Sequence, residues 1–116
     1  MDDLLQDVEL VRPKEGAAVA IFRGEHDLAT APAVESMLGT LLQENELVVV
    51  DFSEAEFVDS SIIHVLVKSG RAARARRRTF RLQLGTAPIV DRAFQLSGML
   101  EVLDCATTRD EALRDV

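Results

Sequence analysis

Four consecutive apolar residues, Leu47 to Val50, end on Asp51, and this short run rich in valine predicts a strand buried on both faces, with the acid closing it. Further on, Ile62, Val65, Leu66, Ser69, Ala72 and Ala73 recur at i, i+3, i+4, i+7, i+10 and i+11, the stripe of a helix. The β-branched stretch IIHVLV would also suit a strand. Helix is preferred because alanine and arginine carry the same period to about Arg76. Ser60 is then the expected N-cap, its hydroxyl accepting a first-turn amide, and Ser61 falls in the first turn. Strand, loop and helix start together place two hydroxyls and the Asp59 carboxylate at one edge of a sheet.

The remaining pattern supplies the rest of a layered fold. Val8 to Arg12 and Ala17 to Phe22 are strand candidates joined by a Pro13-Lys14-Glu15-Gly16 turn, hence a hairpin. Thr30 is expected to cap a helix with Pro32 in its first turn, where a missing amide costs nothing, and Ala33, Val34, Met37, Leu38, Leu41 and Leu42 form its apolar face. Thr79 to Leu84 predicts a strand. Thr86-Ala87-Pro88 repeats the Thr-Ala-Pro helix start, with Ile89, Val90, Ala93, Phe94 and Leu96 as its apolar positions up to Gly98. Leu100 to Leu103 is a further strand candidate, and Thr108 with Glu111 makes a capping box for a short terminal helix. Strands alternating with helices after a hairpin predict an α/β fold, a mixed β-sheet of four to five strands with about four helices. A single domain over residues 1–116 is expected, since no repeat or linker interrupts the pattern.

Charge narrows the class of partner. The formal net charge is −7, with 20 acidic against 13 basic residues, which argues against nucleic acid and anionic membranes, both of which need a positive field. No apolar run approaches the roughly 20 residues that span a bilayer, and the acidic MDDLLQDVEL start is unlike a signal peptide. A lone cysteine, Cys105, fits a reducing compartment. A cytoplasmic protein acting on other proteins is the expectation. The arginines at 71, 74, 76, 77, 78 and 81 are the densest charge feature. Such a run suits a solvated helix end, and a docking patch for an acidic partner is the alternative.

Phe57-Val58-Asp59-Ser60-Ser61 after a VVVDFS strand resembles the signature of the STAS domain in bacterial anti-sigma-factor antagonists. Gly24-Glu25-His26-Asp27-Leu28 followed by Thr30-Ala31-Pro32 resembles that family's GELDL segment before its first helix. TAPIVDRAFQLSGMLEVL, from Thr86 to Leu103, resembles its closing helix, Gly turn and last strand. The resemblance runs from about Val8 to Val116. It implies a STAS-like fold and a regulator that binds a serine-kinase anti-sigma factor, frees the sigma factor and is silenced when that ATP-dependent kinase phosphorylates Ser61. Asp27, Asp59, Ser60, Ile62 and His64 would then lie on the partner-facing surface. The family usually carries a glycine at the position of Ile62 and a small residue at that of His64, so the two depart from its pattern.

Other chemistries find less support. No cofactor is implied, since there is no phosphate-cradling Gly-rich loop, GxSxG elbow or Ser-His-Asp order, and an enzyme is not expected. Glu25 and His26 lack a further ligand at metal-binding spacing. A phosphoaspartate receiver built on Asp51 would need a lysine after a late strand, and the only lysines are Lys14 and Lys68. An enzyme built on Cys105 lacks a local histidine to activate the thiol. The competing function is a STAS assembly or accessory subunit, in a signalling or lipid-transport complex, without a phosphorylation switch.

Overall fold

The computed structural model describes residues 7–84 and 103–114. Five strands, β1 (Val8–Lys14), β2 (Ala17–His26), β3 (Leu47–Val58), β4 (Thr79–Gln83) and β5 (Asp104–Ala106), form one sheet in the order β1-β2-β3-β4-β5. β1 is antiparallel to β2 and the other pairs are parallel, so the sheet is mixed as predicted. The helices described are α1 (Ala31–Glu44), α2 (Ser60–Ala75) and α3 (Arg109–Ala112). The helix expected over 86–98, and residues 100–102 of the last predicted strand, lie outside the described residues. β5 begins one residue past that expectation, at Asp104.

Alternation along the strands divides the interior in two. Ala18, Ala20, Phe22, Val48, Val50 and Phe52 face α1 and α2, whose Val34, Leu38, Ile62 and Leu66 are wholly covered. Ala17, Val19, Ile21, Leu47 and Val49 face the other way, towards Ala106 and Ala112. Both faces of β2 and β3 are therefore apolar, which is what the unbroken run of valines required.

Asp51 does not end the central strand, contrary to the sequence expectation. β3 continues for seven residues beyond it, to Val58, paired to β2 alone, because pairing with β4 stops at Asp51 and Gln83. An acid is tolerated in mid-strand because a cation arrives from elsewhere: Arg109 Nη2 of α3 donates to Asp51 Oδ2 at 2.8 Å, while Ser53 N donates to Asp51 Oδ1 at 2.8 Å. Arg109 Nε also donates to Gln83 Oε1 at 2.9 Å. Arg81 completes the attachment of α3 by donating to the carbonyl of Ala112 at 3.1 Å and to that of Arg114. Cations on the last carbonyls of a helix are favourable.

Two register shifts between β2 and β3 shape the far end of the pair, one of them at Gly24. Gly24 has φ +73°, a conformation in which a β-carbon would be strained. Beyond it, His26 turns into the core and is only 1% exposed.

Candidate functional site

The carboxyl ends of β2 and β3 lie side by side, with His26 opposite Val58. The N–H of Asp59 donates to the carbonyl of His26 at 3.3 Å, which ties the start of α2 to the end of β2. Asp27 and the Asp59-Ser60-Ser61 elbow are thereby brought to the same sheet edge. Open α/β sheets commonly bind partners at this edge, because helix starts and strand ends leave backbone groups and loops free there.

The elbow is capped differently from the expectation. Asp59, not Ser60, is the N-cap of α2: its backbone is extended (φ −108°, ψ −178°), and its Oδ1 accepts from Ser61 N at 2.9 Å and Ile62 N at 3.4 Å. Ser60 is already the first helical residue and its side chain is exposed. A carboxylate also stabilises the positive end of the helix dipole. Ser61 follows, half-buried in the first turn.

The other candidate residues separate by exposure. His64 is exposed, four residues after Ser60 and so on the same side of α2. Ile62 is completely buried in the core between α2 and the sheet. The expectation that its side chain stands on the partner-facing surface is therefore corrected: helical periodicity turns it inward one residue past Ser61. Asp27 is half-buried and shapes the loop, accepting from Ala29 N at 2.9 Å. Thr30 occupies the N-cap position of α1 but makes no side-chain cap; its hydroxyl instead bonds the backbone of Asp27, both distances being 3.2 Å.

Two residues that periodicity did not single out complete the edge. Leu28 is 71% exposed and Phe57 is 44% exposed, an apolar pair beside the elbow. Alternation in SEAEF would place Phe57 on the face of buried Ala55; the register shift that leaves Glu56 as an extra residue against β2 turns it outward instead, which the sequence pattern does not signal. Glu25 and Glu56 are exposed nearby, so the edge presents apolar groups within a negative surround. Beneath it, His26 stacks edge-on against Phe22 at 4.9 Å, and its Nε2 donates to the carbonyl of Arg23 at 2.9 Å. Its Nδ1 is buried with no hydrogen-bond partner among the described residues. Burial pushes the imidazole pKa down, against the opposing pull of the Arg23 carbonyl, Asp7 and Asp27. Among the described residues no group of three or more His, Cys, Asp or Glu could hold a metal ion, and no helix is long and apolar enough to cross a membrane.

With this geometry stand the likenesses to known proteins. The STAS domain family model matches residues 10–112, and the chain belongs to that family. The fold is similar to the anti-sigma factor antagonist SpoIIAA in its unphosphorylated form, with TM-score 0.76 and 22% identity over 91% of this chain and 92% of that one. It is likewise similar to the Bacillus SpoIIAA in its phosphorylated form, with TM-score 0.67 and 22% identity over 91% and 96%. An anti-sigma factor antagonist from Mycobacterium paratuberculosis gives TM-score 0.75 and 25% identity over 91% of each chain. A sulfate transporter family protein from Wolinella succinogenes shares the fold at TM-score 0.73 and 16% identity over 89% and 86%. No curated protein sequence matches the chain.

Proposed function

We propose that this chain is a cytoplasmic anti-sigma-factor antagonist whose single domain binds a serine-kinase-type anti-sigma factor through the sheet edge around Asp59, Ser60 and Ser61, and that phosphorylation of Ser61 ends the complex. The observation that carries this reading is Ser61 itself, half-buried in the first turn of α2 with its N–H held by Asp59 at 2.9 Å. The solved forms of SpoIIAA, one phosphorylated and one not, support a switch of this kind in a protein of the same fold.

The proposed switch is local and electrostatic. A phosphate would add about −1.5 to −2 charges beside the Asp59 carboxylate, and the first-turn amides it would use are already engaged by that carboxylate. With those amides taken, the positive end of the helix dipole and the surrounding water offset the added charge, so the fold survives. A partner covering Leu28, Phe57 and the elbow would meet it unpaired. A loss of about 3 kcal/mol in such a complex weakens binding roughly 100-fold, enough for partner exchange. The chain needs no catalytic group of its own, since the partner would supply both ATP and the transfer chemistry.

The reading is tested by intact-mass analysis after incubation with Mg-ATP and serine-kinase anti-sigma factors encoded in the same genome, alongside Ser61→Ala. One added phosphate on the native chain, absent from the variant, is the expected result. Stable binding without phosphate would make the protein an unswitched antagonist. Neither binding nor phosphate would favour the accessory-subunit reading, which draws support from the transporter relative of the same fold.

A further inference from the structure

The arginine run at the end of α2 is sorted by the fold into different roles. Arg81 turns to the α3 side of the sheet and pairs with Asp104 at 2.7 Å. Arg76 and Arg77 lie exposed in the turn after α2. Arg71, Arg74 and Arg78 border one cavity of about 410 Å³, together with Thr79, Phe80 and Leu103. Among the described residues, these three guanidinium groups have neither a carboxylate nor a hydrogen-bond partner, whereas Arg12, Arg23, Arg81 and Arg109 all have one.

Three features suit this cluster to an anion. Asp104 also borders the cavity, yet its carboxylate is already held by Arg81. Of the last carbonyls of α2, which would repel an anion, two are taken up by the helix end itself: Arg77 N donates to Arg74 O at 3.1 Å and Arg78 N to Ala73 O at 2.8 Å. The back of the cavity is apolar and tight, since a β-carbon at Gly70 would come within 2.8 Å of Leu103 Cδ2. Unpaired cations gathered here run against the net charge of −7.

We propose that this cavity binds a small organic phosphate, its phosphoryl group held by Arg71, Arg74 and Arg78 and its apolar body resting on Phe80 and Leu103. The guanidinium fork matches phosphate oxygens in bidentate geometry. Thr79 adds a hydroxyl donor. The volume falls within the roughly 300–1,000 Å³ of small-molecule sites, and its concavity suits such a ligand better than the flat acidic face of a protein. The site lies about 15 Å along α2 from Ser61, ten residues at 1.5 Å each, so it stands whether or not Ser61 is a phosphoacceptor.

The test is a titration with 1-naphthyl phosphate followed by amide chemical shifts, with 1-naphthol and inorganic phosphate as the two half-ligands. Saturable binding is expected, with shifts confined to residues 67–80 and 103–104 and each half-ligand weaker. Arg71→Ala with Arg74→Ala should weaken binding about tenfold or more, while Arg76→Ala, outside the cavity, leaves it unchanged. Both arginines are exposed, and an unaltered amide spectrum elsewhere verifies the fold of the double variant. Equal affinity for 1-naphthol would overturn the proposal in favour of a merely apolar cavity. Equal losses in Arg76→Ala and the double variant would reduce it to diffuse surface charge, and binding of an acidic peptide but not of 1-naphthyl phosphate would replace the ligand class.

Discussion

The carboxylate of Asp59 accepts the backbone N–H of Ser61 at 2.9 Å, so the residue before the two serines holds the helix on which they stand. Asp59→Ala should cost about 1 kcal/mol through loss of the cap, while Asp59→Asn retains most of it. Ser60→Ala should be close to neutral, because Ser60 lies inside the helix and is not its cap. Urea denaturation of the three variants distinguishes these roles, and a larger loss in Ser60→Ala than in Asp59→Ala would reverse the assignment.

His26 makes stability depend on pH. Its folded pKa lies below the ordinary 6.5, so the unfolded chain takes up a proton more readily than the native one as pH falls. The contribution of the neutral, buried ring is complete above about pH 6.5 and is lost progressively below it, with a slope no steeper than about 1.4 kcal/mol per pH unit. His26→Leu, which removes both the ionisation and the unpartnered Nδ1, should flatten this part of the profile. Denaturation midpoints for the two proteins measured between pH 7.5 and 5 would establish it, and parallel profiles would exclude His26 as the cause.

The pair between Asp51 and Arg109 couples α3 to the middle of the sheet. Asp51 is 1% exposed, so Arg109→Ala leaves a nearly buried carboxylate with the Ser53 N–H as its remaining bond. The Arg109 side chain is 35% exposed, which lets water compensate in part, and a loss of about 2 kcal/mol is expected rather than the larger value of a fully enclosed pair. Asp51→Leu combined with Arg109→Leu should recover most of it. A double-mutant cycle in urea measures the difference, and strict additivity would show that the pair is not coupled.

Arg77 occupies the left-handed region at φ +58° where α2 ends. The bonds from Arg77 N to Arg74 O and from Arg78 N to Ala73 O are those of a helix end that ordinarily uses glycine. Arg77→Gly should therefore stabilise the protein by about 1 kcal/mol, and Arg77→Ala, which keeps a β-carbon, should not. Thermal melts would register the gain as a rise of a few degrees.

The hydrophobic pattern by itself determined the elements described as β1 to β4, α1 and α2, because a period of two or of 3.6 carries a residue's burial directly. It also placed Asp59, Ser60 and Ser61 at the start of α2, although after a loop, where the structure has β3 itself running up to Val58. The pattern was silent on what depends on residues distant in the chain. Asp51 looked like a strand end because an acid is costly inside a sheet, and only Arg109, 58 positions later, makes it tolerable there. Ile62 lay on the apolar stripe of α2 and was expected on the partner-facing surface from the resemblance alone; the packing of α2 against the sheet follows the stripe and buries it. The exposure of Leu28 beside Phe57, and the cavity that gathers Arg71, Arg74 and Arg78 while sending Arg81 to the other face, were likewise decided by packing. Which side chains are left without a partner depends on every element that could have supplied one, and that is a property of the assembled fold.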